Sequence, residues 1–580
     1  MFAYPGTRML LASDGSTTAL LQAAANGPVR VVVREQYETT GAGLPSGARA
    51  ALLLAPDTMA LIRRSALYDE HGRCVSVNEV VAVCHQDPVL GPLVTDTTRP
   101  LGRNLADVGL RRRVLETGLT VWPEDRQVPA AAYKTYVLLD GDQPVLHINE
   151  TFNPELIKPD LQPGASDAAG SWTPGSRRNL PDTQQPDWPD SEGVECDVRD
   201  LARLPAIVPP REARHLLSLL ARATDGDGFV IQAGDCAETF DALTTDAVVG
   251  RYRLLTTLAH TLQDMMRPTE PVVAIGCWAG QYAQPRSQAT ETTTVHGRAR
   301  TVLSYCGDMV NEADLTVRSR TPDPQRLRTA YFHSAATLHA LRCLDPAAPG
   351  SMPLFTSHEA LILPYEEALT RRCETTGLWY ATSAHTVWIG ERTNDPAGAH
   401  VHFAAGIANP VAVMIGPTAT PEQLVALCEL LNPARLSGRL TLVPRLGADR
   451  VHALLPALVQ AVQAETHRVL WMCDPLHGNT RTTADGRKIR RLTAIEDEIR
   501  GFFEVHRALS THVGGLHLET TPDDLTECID SPVSPEPRPG PRSASDCDLR
   551  LNPEQALSCV LMAAGQYALG NRAARPATGR

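Results

Sequence analysis

Eight short apolar runs, each followed by a segment with helical spacing, constrain the fold of this chain more than any other feature. The runs begin at Phe229, Pro271, Met352, His385, Pro410, Leu440, Arg468 and Val513. Near-continuous apolar strands that alternate with helices are typical of a parallel sheet buried on both faces, and eight such units close a TIM barrel. The pattern therefore predicts a (β/α)8 barrel, with a doubly wound open sheet as the main alternative.

The region before the runs predicts a second domain. A chain of 580 residues exceeds what one hydrophobic core usually takes. Two runs read as antiparallel strands across the Gly141–Asp142 turn, and residues 161–200 are rich in Pro, Gly, Ser and Asp. We therefore predict an α/β protein in which a smaller α+β antiparallel-sheet domain (1–160) and a linker that begins a barrel extension (161–200) precede the TIM barrel (201–580). A second Pro-rich stretch at 531–546 predicts an exposed loop before a last helix at about 553–564.

Charge and cysteine usage limit the class of partner. The formal net charge is −12 and no basic block offsets it, which argues against nucleic acid or an anionic membrane as a partner. No stretch approaches the roughly 18 apolar residues of a membrane span. The 13 cysteines are scattered without a CxxC pair, so we read them as thiols. We expect a cytoplasmic homo-oligomer that acts on small molecules.

Polar residues follow the apolar runs repeatedly, where a TIM barrel gathers its chemistry. One thiolate, one imidazole and two carboxylates form a candidate metal set: Cys236, His477, Glu519 and Asp548. This mixture suits a catalytic divalent ion with an open position better than a closed structural zinc. Because the four residues are far apart, their spacing is uninformative, and Cys236 alone would equally suit a small buried hydrophobic residue.

The motifs from Trp172 onward resemble the class II (plant-type) 3-deoxy-D-arabino-heptulosonate 7-phosphate (DAHP) synthases. They include VIQAGDCAETF, AGQYAQPRS, TSHEALILPYE, HTVWIGERT and CDPLHGNT. That family is a (β/α)8 barrel that condenses phosphoenolpyruvate with erythrose 4-phosphate. The resemblance implies that a metal polarises the aldehyde, the enol carbon attacks it, water adds and phosphate leaves.

The resemblance also implies roles for individual residues. Cys236, His477, Glu519 and Asp548 would bind a divalent metal such as Mn²⁺ or Co²⁺. The family's phosphate- and carboxylate-binding positions fall on Arg286, Ser287, Glu391, Arg392 and Arg445.

Four cationic positions of the family are changed in this chain. The altered positions are Cys277, Gln284, Cys306 and Met414, where Arg, Lys, Arg and Lys are usual. The arginine-rich composition would replace Lys by Arg and keep the charge, so it does not explain Gln284 or Met414. The segment between Leu341 and Phe355 is also shorter than is usual. We therefore predict a metal-dependent condensing enzyme with a less anionic substrate; the alternatives are unchanged DAHP synthase activity and a non-catalytic barrel.

Residues 1–160 resemble, more weakly, chorismate lyase and the ligand-binding domain of GntR-type regulators. The resemblance implies that Arg64 binds a carboxylate, that Glu150 is the catalytic acid, and that Leu101 and Gly102 form a matching turn. The leading hypothesis is a bifunctional enzyme that commits shikimate-derived flux to a specialised hydroxybenzoate. The alternatives are a ligand-sensing domain, or a structural role for Arg64 and Glu150 as strand residues or a salt bridge.

Overall fold

A computed structural model describes residues 5–573, except 14, 45, 56, 86, 106–107, 121, 125–130, 142, 159–171, 236, 268–269, 296–297, 345–352, 375, 483–487, 526 and 530–548. The chain divides into two compact units. One contains Met1–Pro163 and Cys373–Gly377, and the other contains Gly164–Arg372 and Leu378–Arg580. In the described ranges, no helix combines the length and apolar character needed to cross a lipid bilayer.

The N-terminal unit is built on a six-stranded antiparallel sheet. Its strands are β1 (Arg30–Thr40), β2 (Met59–Tyr68), β3 (Cys74–Ala82), β4 (Arg111–Thr120), β5 (Ala131–Asp140) and β6 (Gln143–Phe152), in the order β1-β2-β3-β6-β5-β4. Its helices are Pro5–Ala12, Thr17–Ala25, Ser46–Ala51, Leu90–Thr95 and Leu101–Asn104. The sheet confirms the predicted α+β domain.

The hairpin of β5 and β6 confirms the turn expected from the sequence. Asp140 pairs with Gln143, and Gly141 between them has a φ of +59°. Glycine adopts this left-handed conformation without a Cβ penalty, which allows the tight reversal.

The second unit contains a closed barrel of eight parallel strands. In chain order we number the barrel strands 1 to 8: Phe229–Gly234, Val272–Cys277, Leu354–Glu359, Thr386–Ile389, Val411–Ile415, Leu440–Pro444, Leu470–Cys473 and Gly515–Glu519. Strand 8 pairs with strand 1 through Gly515 and Val230, which closes the sheet and excludes the open doubly wound alternative. Each of the eight apolar runs is one barrel strand, as predicted.

Both faces of the barrel strands are apolar, and each face has its own core. Val230, Ile275 and Met414 belong to an inner cluster. Their neighbours Ile231 and Val413 pack in the larger cluster shared with the helices. Because successive strand residues point to opposite faces, burial on both sides requires the unbroken apolar runs seen in the sequence.

Helices surround the barrel strands. They are Ser191–Leu201, Pro210–Thr224, Thr245–Met265, Val317–Arg320, Gln325–Leu344, Leu363–Ala368, Ala399–Gly406, Pro421–Leu431, Val451–Ala464, Leu492–Ala508 and Pro553–Ala573. Short strands occur at Thr290–Val295, Arg298–Leu303, Thr370–Arg372, Trp379–Ala381, Arg481–Thr482, Lys488–Arg491 and Cys528–Ile529. Thr420 starts the helix Pro421–Leu431 with a capping box to Gln423, and Pro421 occupies the first turn.

The segment expected to be a linker, 161–200, contains regular secondary structure in part. A 3₁₀-helix spans Pro174–Asn179, and the helix Ser191–Leu201 contributes Leu201 to a core cluster of the barrel unit. The Pro-rich stretch at 531–546 lies outside the described residues. The last helix, Pro553–Ala573, continues beyond its expected end.

Candidate functional site

A cavity of about 380 Å³ opens at the carboxyl ends of the barrel strands. Gly234, Cys277, Glu359, Met414 and Glu519 line it from five strands, and the loops that follow the strands supply the rest of its wall. The strand-end polar residues expected from the sequence therefore converge, because parallel strands place their carboxyl ends at one edge.

His477 lies in the short 3₁₀-helix that follows barrel strand 7. Its Nδ1 is 2.6 Å from Oδ2 of Asp474, and its Nε2 is 2.9 Å from Oε1 of Glu519. Burial alone would lower the pKa of His477, but these two carboxylates raise it to about 9. The ring is held on both sides, with Nε2 directed into the cavity wall that Glu519 forms.

Glu519 ends barrel strand 8 and is fully buried. Arg490 donates to its Oε2, and Arg490 Nε also donates to Thr480 Oγ1 at 2.8 Å. Burial would raise the pKa of Glu519, but Arg490 and His477 hold it well below its ordinary value. Glu519 is therefore a carboxylate with one oxygen on a fixed cation and the other facing an imidazole nitrogen.

Arg550 connects two other segments of the site. Its Nη1 is 2.8 Å from Asp235 Oδ2, and its Nη2 is 2.9 Å from Glu527 Oε1. Asp235 follows barrel strand 1, and burial raises the pKa of its carboxyl group. The ion pair thus joins the residue one position before Cys236 to the residue two positions after Asp548 in the sequence.

The expected metal ligands are only partly described. Cys236 and Asp548 lie outside the described residues, whereas His477 and Glu519 contact each other directly. Within the described part of the chain, no group of three or more His, Cys, Asp and Glu side chains is arranged to hold a metal. The two described donors nevertheless suit a divalent ion, because Asp474 fixes Nδ1 of His477 and leaves Nε2 beside a carboxylate oxygen.

All five expected anion-binding residues line the cavity, namely Arg286, Ser287, Glu391, Arg392 and Arg445. Four of them form two pairs: Arg392 Nη2 donates to Ser287 Oγ at 2.8 Å, and Arg445 Nε lies 3.5 Å from Glu391 Oε2. Arg286 is held through its backbone N–H, which donates to Gln184 Oε1 at 2.7 Å, and through Nε, which donates to the Tyr305 carbonyl.

Three of the four altered positions also line the cavity: Cys277, Gln284 and Met414. Cys277 is only 3% exposed; its Sγ accepts from Gln232 Nε2 at 3.6 Å, and burial raises the pKa of the thiol to about 12. The fourth, Cys306, is not among the described lining residues, and its Sγ is 3.5 Å from the Ser304 carbonyl. The changes therefore remove expected cations from the cavity wall itself.

Glu359 is a site residue to which the sequence assigned no role. It ends barrel strand 3, lines the cavity, and has a buried Oε1 without a hydrogen-bond partner among the described residues. Burial raises its pKa to about 7, although Arg392 and Arg445 oppose the shift. Its position at a strand end was the signal that could have identified it.

A buried glutamate orients the loop after barrel strand 2. Glu238 Oε2 accepts from the backbone N–H groups of Gly280 and Gln281, both at 3.0 Å. Gln281 Oε1 in turn accepts from the backbone N–H of Glu359 at 2.7 Å. Glu238 therefore positions the wall of the cavity without lining it.

The N-terminal unit has a separate cavity of about 260 Å³. Glu150, Leu101 and Gly102 line it, but Arg64 does not; Leu101 and Gly102, expected in a turn, begin the short helix Leu101–Asn104. Arg64 is instead paired with Glu35 and Glu79 on the neighbouring strands, and its side chain is 46% exposed. In this structure Arg64 is thus a strand residue in a salt bridge, the alternative to a carboxylate-binding role, and the arginine that lines the cavity is Arg112.

Comparisons with known proteins identify the family to which the barrel unit's sequence is similar. The family model described as "Class-II DAHP synthetase family" matches residues 172–352 and 345–564. A phospho-2-dehydro-3-deoxyheptonate aldolase of Streptomyces coelicolor is 38% identical over 440 residues, which cover 67% of this chain and 96% of the relative. The phospho-2-dehydro-3-deoxyheptonate aldolase AroG of Mycolicibacterium smegmatis is 37% identical over 438 residues, covering 66% and 92%.

Two solved structures are similar to this chain, but only weakly. PhnF from Mycobacterium smegmatis matches 27% of this chain and 70% of its own at 13% identity, with a TM-score of 0.22. The ligand-binding domain of a regulator described as GntR-family, from Bordetella bronchiseptica, matches 22% and 85% at 14% identity, with a TM-score of 0.19.

Proposed function

Since this chain belongs to the class II DAHP synthetase family, we propose that its barrel is a metal-dependent, carbon–carbon bond-forming enzyme whose substrate carries less negative charge than phosphoenolpyruvate. The observation that carries the proposal is the placement of Cys277, Gln284 and Met414 in the wall of a cavity whose other expected anion-binding residues are retained. A charge-assisted contact to a phosphate or carboxylate is strong in a desolvated site, so losing several would weaken binding of a multiply charged substrate.

The described residues support distinct roles in such a reaction. Asp474 would hold the imidazole of His477 in one orientation, and Arg490 would keep Glu519 ionised. Together with Cys236 and Asp548, His477 and Glu519 would hold a divalent ion such as Mn²⁺ or Co²⁺. When bound, that ion would supply Lewis acidity toward a carbonyl oxygen.

Cations in the loops would orient an anionic group of the substrate. Arg392 and Arg445 are each braced by one neighbour, which limits the rotamer freedom lost on binding. Glu359, with a pKa of about 7, would take or give a proton near neutral pH.

The test is consumption of phosphoenolpyruvate with erythrose 4-phosphate, in the presence of Mn²⁺ or Co²⁺. We expect negligible turnover by a protein that carries a stoichiometric divalent ion. A turnover rate typical of DAHP synthases would show that the barrel catalyses its family's reaction. A purified protein without a bound metal would contradict the enzyme proposal and favour a non-catalytic barrel.

For the N-terminal unit we propose pyruvate elimination from chorismate, which would direct the product toward specialised aromatic metabolism. Glu150 supports this proposal: it is buried in the cavity, and burial raises the pKa of its carboxyl group, as a general acid requires. Wild-type protein should release pyruvate from chorismate and Glu150→Gln should not. Wild-type protein that leaves chorismate intact would contradict the proposal and favour a ligand-binding domain.

A further inference from the structure

Part of the wall of the barrel cavity is apolar, at positions where cations were expected. Cys277, Trp388 and Met414 line the cavity and belong to one core cluster, and each is at most 6% exposed. Trp388 also contacts His517 edge to face, with ring centres 6.0 Å apart. Such a wall suits a methyl or short alkyl group of a substrate. It disfavours a phosphate, which would lose its hydration there without gaining a charged partner.

One arginine lies beside this apolar wall. Arg445 follows barrel strand 6, and its backbone N–H donates at 2.9 Å to the carbonyl of Ile415, the residue after Met414. Its side chain is 24% exposed, whereas Arg392 and Lys488, which also line the cavity, are exposed residues. Arg445 Nε is buried and makes no hydrogen bond to a described residue. Arg445 therefore has an unused donor for one carboxylate next to the apolar wall.

A carboxyl group lines the same cavity. Glu359 ends barrel strand 3, and its Oε1 is buried without a hydrogen-bond partner among the described residues. Gly390 leaves room for this oxygen, since a Cβ at position 390 would lie 2.2 Å from it. Burial raises the pKa of Glu359 to about 7, although Arg392, Arg445 and His477 lower it from nearby. A carboxyl group with these properties can accept a proton from a substrate carbon near neutral pH.

These three features fit one class of carbon nucleophile. Forming a carbon–carbon bond requires a nucleophilic carbon, and a 2-oxo acid provides one when it loses a single proton from C3. Such an acid carries one carboxylate, which Arg445 can bind, and no phosphate. Its C3 methyl or methylene group suits the apolar wall, and Glu359 is a base within the same cavity. Charge, shape and proton transfer therefore agree on the same class of substrate.

We propose that the barrel uses a 2-oxo monocarboxylate as its carbon nucleophile, with Arg445 binding the carboxylate and Glu359 removing a proton from C3. The electron pair of the broken C3–H bond forms the enolate, and C3 then bonds to the carbonyl carbon of an aldehyde. The aldehyde oxygen takes the proton back from Glu359. The product is a 4-hydroxy-2-oxo acid, with no leaving group and no further reactant. The inference rests on the function proposed for the barrel and names the class of its less anionic substrate.

Binding to the full chain tests recognition without turnover. Calorimetric titration with Mn²⁺ present gives a Kd for phosphoenolpyruvate and for pyruvate, the smallest 2-oxo acid with a C3 methyl group. We expect pyruvate to bind at least about tenfold more tightly, because Met414 and Cys277 offer no charge to a phosphate. Equal or tighter binding of phosphoenolpyruvate would overturn the proposal.

Two matched substitutions locate the carboxylate site. Arg445→Gln should weaken pyruvate binding about 10- to 100-fold, as expected for a lost charge-assisted contact. Arg211→Gln changes an arginine whose side chain is 78% exposed on the helix Pro210–Thr224, and it should leave the Kd unchanged. An unchanged Kd in Arg445→Gln with native circular dichroism, or an equal loss in Arg211→Gln, would contradict the assignment.

Hydrogen exchange at C3 tests the role of Glu359 without an aldehyde. In D₂O with Mn²⁺, the full chain should replace the methyl protons of pyruvate by deuterium, which mass spectrometry measures. Glu359→Gln should lower the exchange rate at least about 100-fold, the usual effect of removing a general base, without weakening pyruvate binding. Glu422→Gln, at an exposed position of the helix Pro421–Leu431, should change neither. Exchange no faster than with Mn²⁺ alone, or full exchange in Glu359→Gln, would overturn the proposal.

Synthase turnover separates this inference from the function proposed for the barrel. A metal-containing chain with negligible synthase turnover that neither prefers pyruvate nor exchanges its protons would contradict this inference alone. A turnover rate typical of DAHP synthases would contradict both.

Discussion

Nε2 of His477 lies 2.9 Å from Oε1 of Glu519. The opposite ring nitrogen is 2.6 Å from Asp474. An imidazole whose Nδ1 is held by a carboxylate presents Nε2 in a fixed direction, which is the arrangement found behind many metal-ligating histidines. Asp474 should therefore control metal affinity although it was not expected to be a ligand.

Asp474→Asn should weaken Mn²⁺ binding about 10- to 100-fold, the usual effect of removing such a partner. Titration calorimetry of Mn²⁺ into the metal-free full chain gives the Kd without relying on turnover. The matched control is Asp449→Asn, which removes an exposed carboxylate paired with Arg481 at 3.1 Å. Equal affinities in wild type and Asp474→Asn would show that the imidazole does not depend on Asp474.

Anion binding to the barrel cavity should depend on pH through Glu359. Burial raises the pKa of Glu359 to about 7, so the group is mostly neutral at pH 6 and mostly anionic at pH 8. Sulfate keeps its charge over this range, and its affinity should fall about tenfold as Glu359 ionises near Arg392 and Arg445.

The Kd of sulfate at the two pH values checks this expectation. Glu359→Gln should remove the pH dependence, whereas Glu422→Gln, on the exposed start of the helix Pro421–Leu431, should keep it. A pH dependence that survives in Glu359→Gln would assign the effect to another group.

Most of the barrel was predictable from the sequence because burial on both faces leaves an unbroken apolar run. The N-terminal cavity was less predictable, because side chains alternate between the two faces of a strand. Ser65 and Leu67 of β2 line the cavity, so Arg64 points to the other face, beside Glu35 and Glu79. Arg63, next to Arg64 in β2, donates to the Val94 and Asp96 carbonyls and does not line the cavity either, and nothing in the sequence singled out Arg112 of β4 instead.

A residue whose role is to orient other residues cannot be recognised from the sequence pattern alone. Glu498 is buried in the helix Leu492–Ala508 and accepts from the backbone N–H groups of Leu446 and Gly447 at 2.9 and 2.8 Å. It also accepts from Asn479, two residues after His477, at 2.7 Å. Nothing in a run of helical residues shows that one carboxyl group orients two loops of the cavity.

Gly416 should be required for the arrangement of Glu391 and Arg445. A Cβ at position 416 would lie 1.5 Å from Glu391 Oε1, so Gly416→Ala must displace that carboxylate and its 3.5 Å contact with Arg445. We expect weaker sulfate binding with little change in melting temperature, because the displaced atoms are the end of a flexible side chain. The control Gly565→Ala meets no atom within 4 Å and lies in the helix Pro553–Ala573, where alanine is favoured by about 1 kcal/mol. Unchanged sulfate affinity in Gly416→Ala would contradict the packing described.

Positions 414 and 277 differ in how well they can accept a restored cation. Met414 lines the cavity from barrel strand 5, so a lysine at this position can extend its flexible stem toward the space that Arg445 borders. Cys277 is enclosed by Gln232 and Ser357 at 3.6 and 3.9 Å, and an arginine there would overpack the barrel interior at a cost of about 1–3 kcal/mol.

Met414→Lys should therefore bind phosphoenolpyruvate about tenfold or more tightly than wild type, since each 1.4 kcal/mol of charge-assisted contact is a factor of about ten. Cys277→Arg should chiefly lower the melting temperature. Calorimetric titration with Mn²⁺ present measures the affinity, and Met265→Lys, at a position that is 46% exposed, adds the same charge outside the cavity. An equal gain in Met265→Lys would attribute the effect to net charge alone, and no gain in Met414→Lys would show that position 414 does not reach the bound anion.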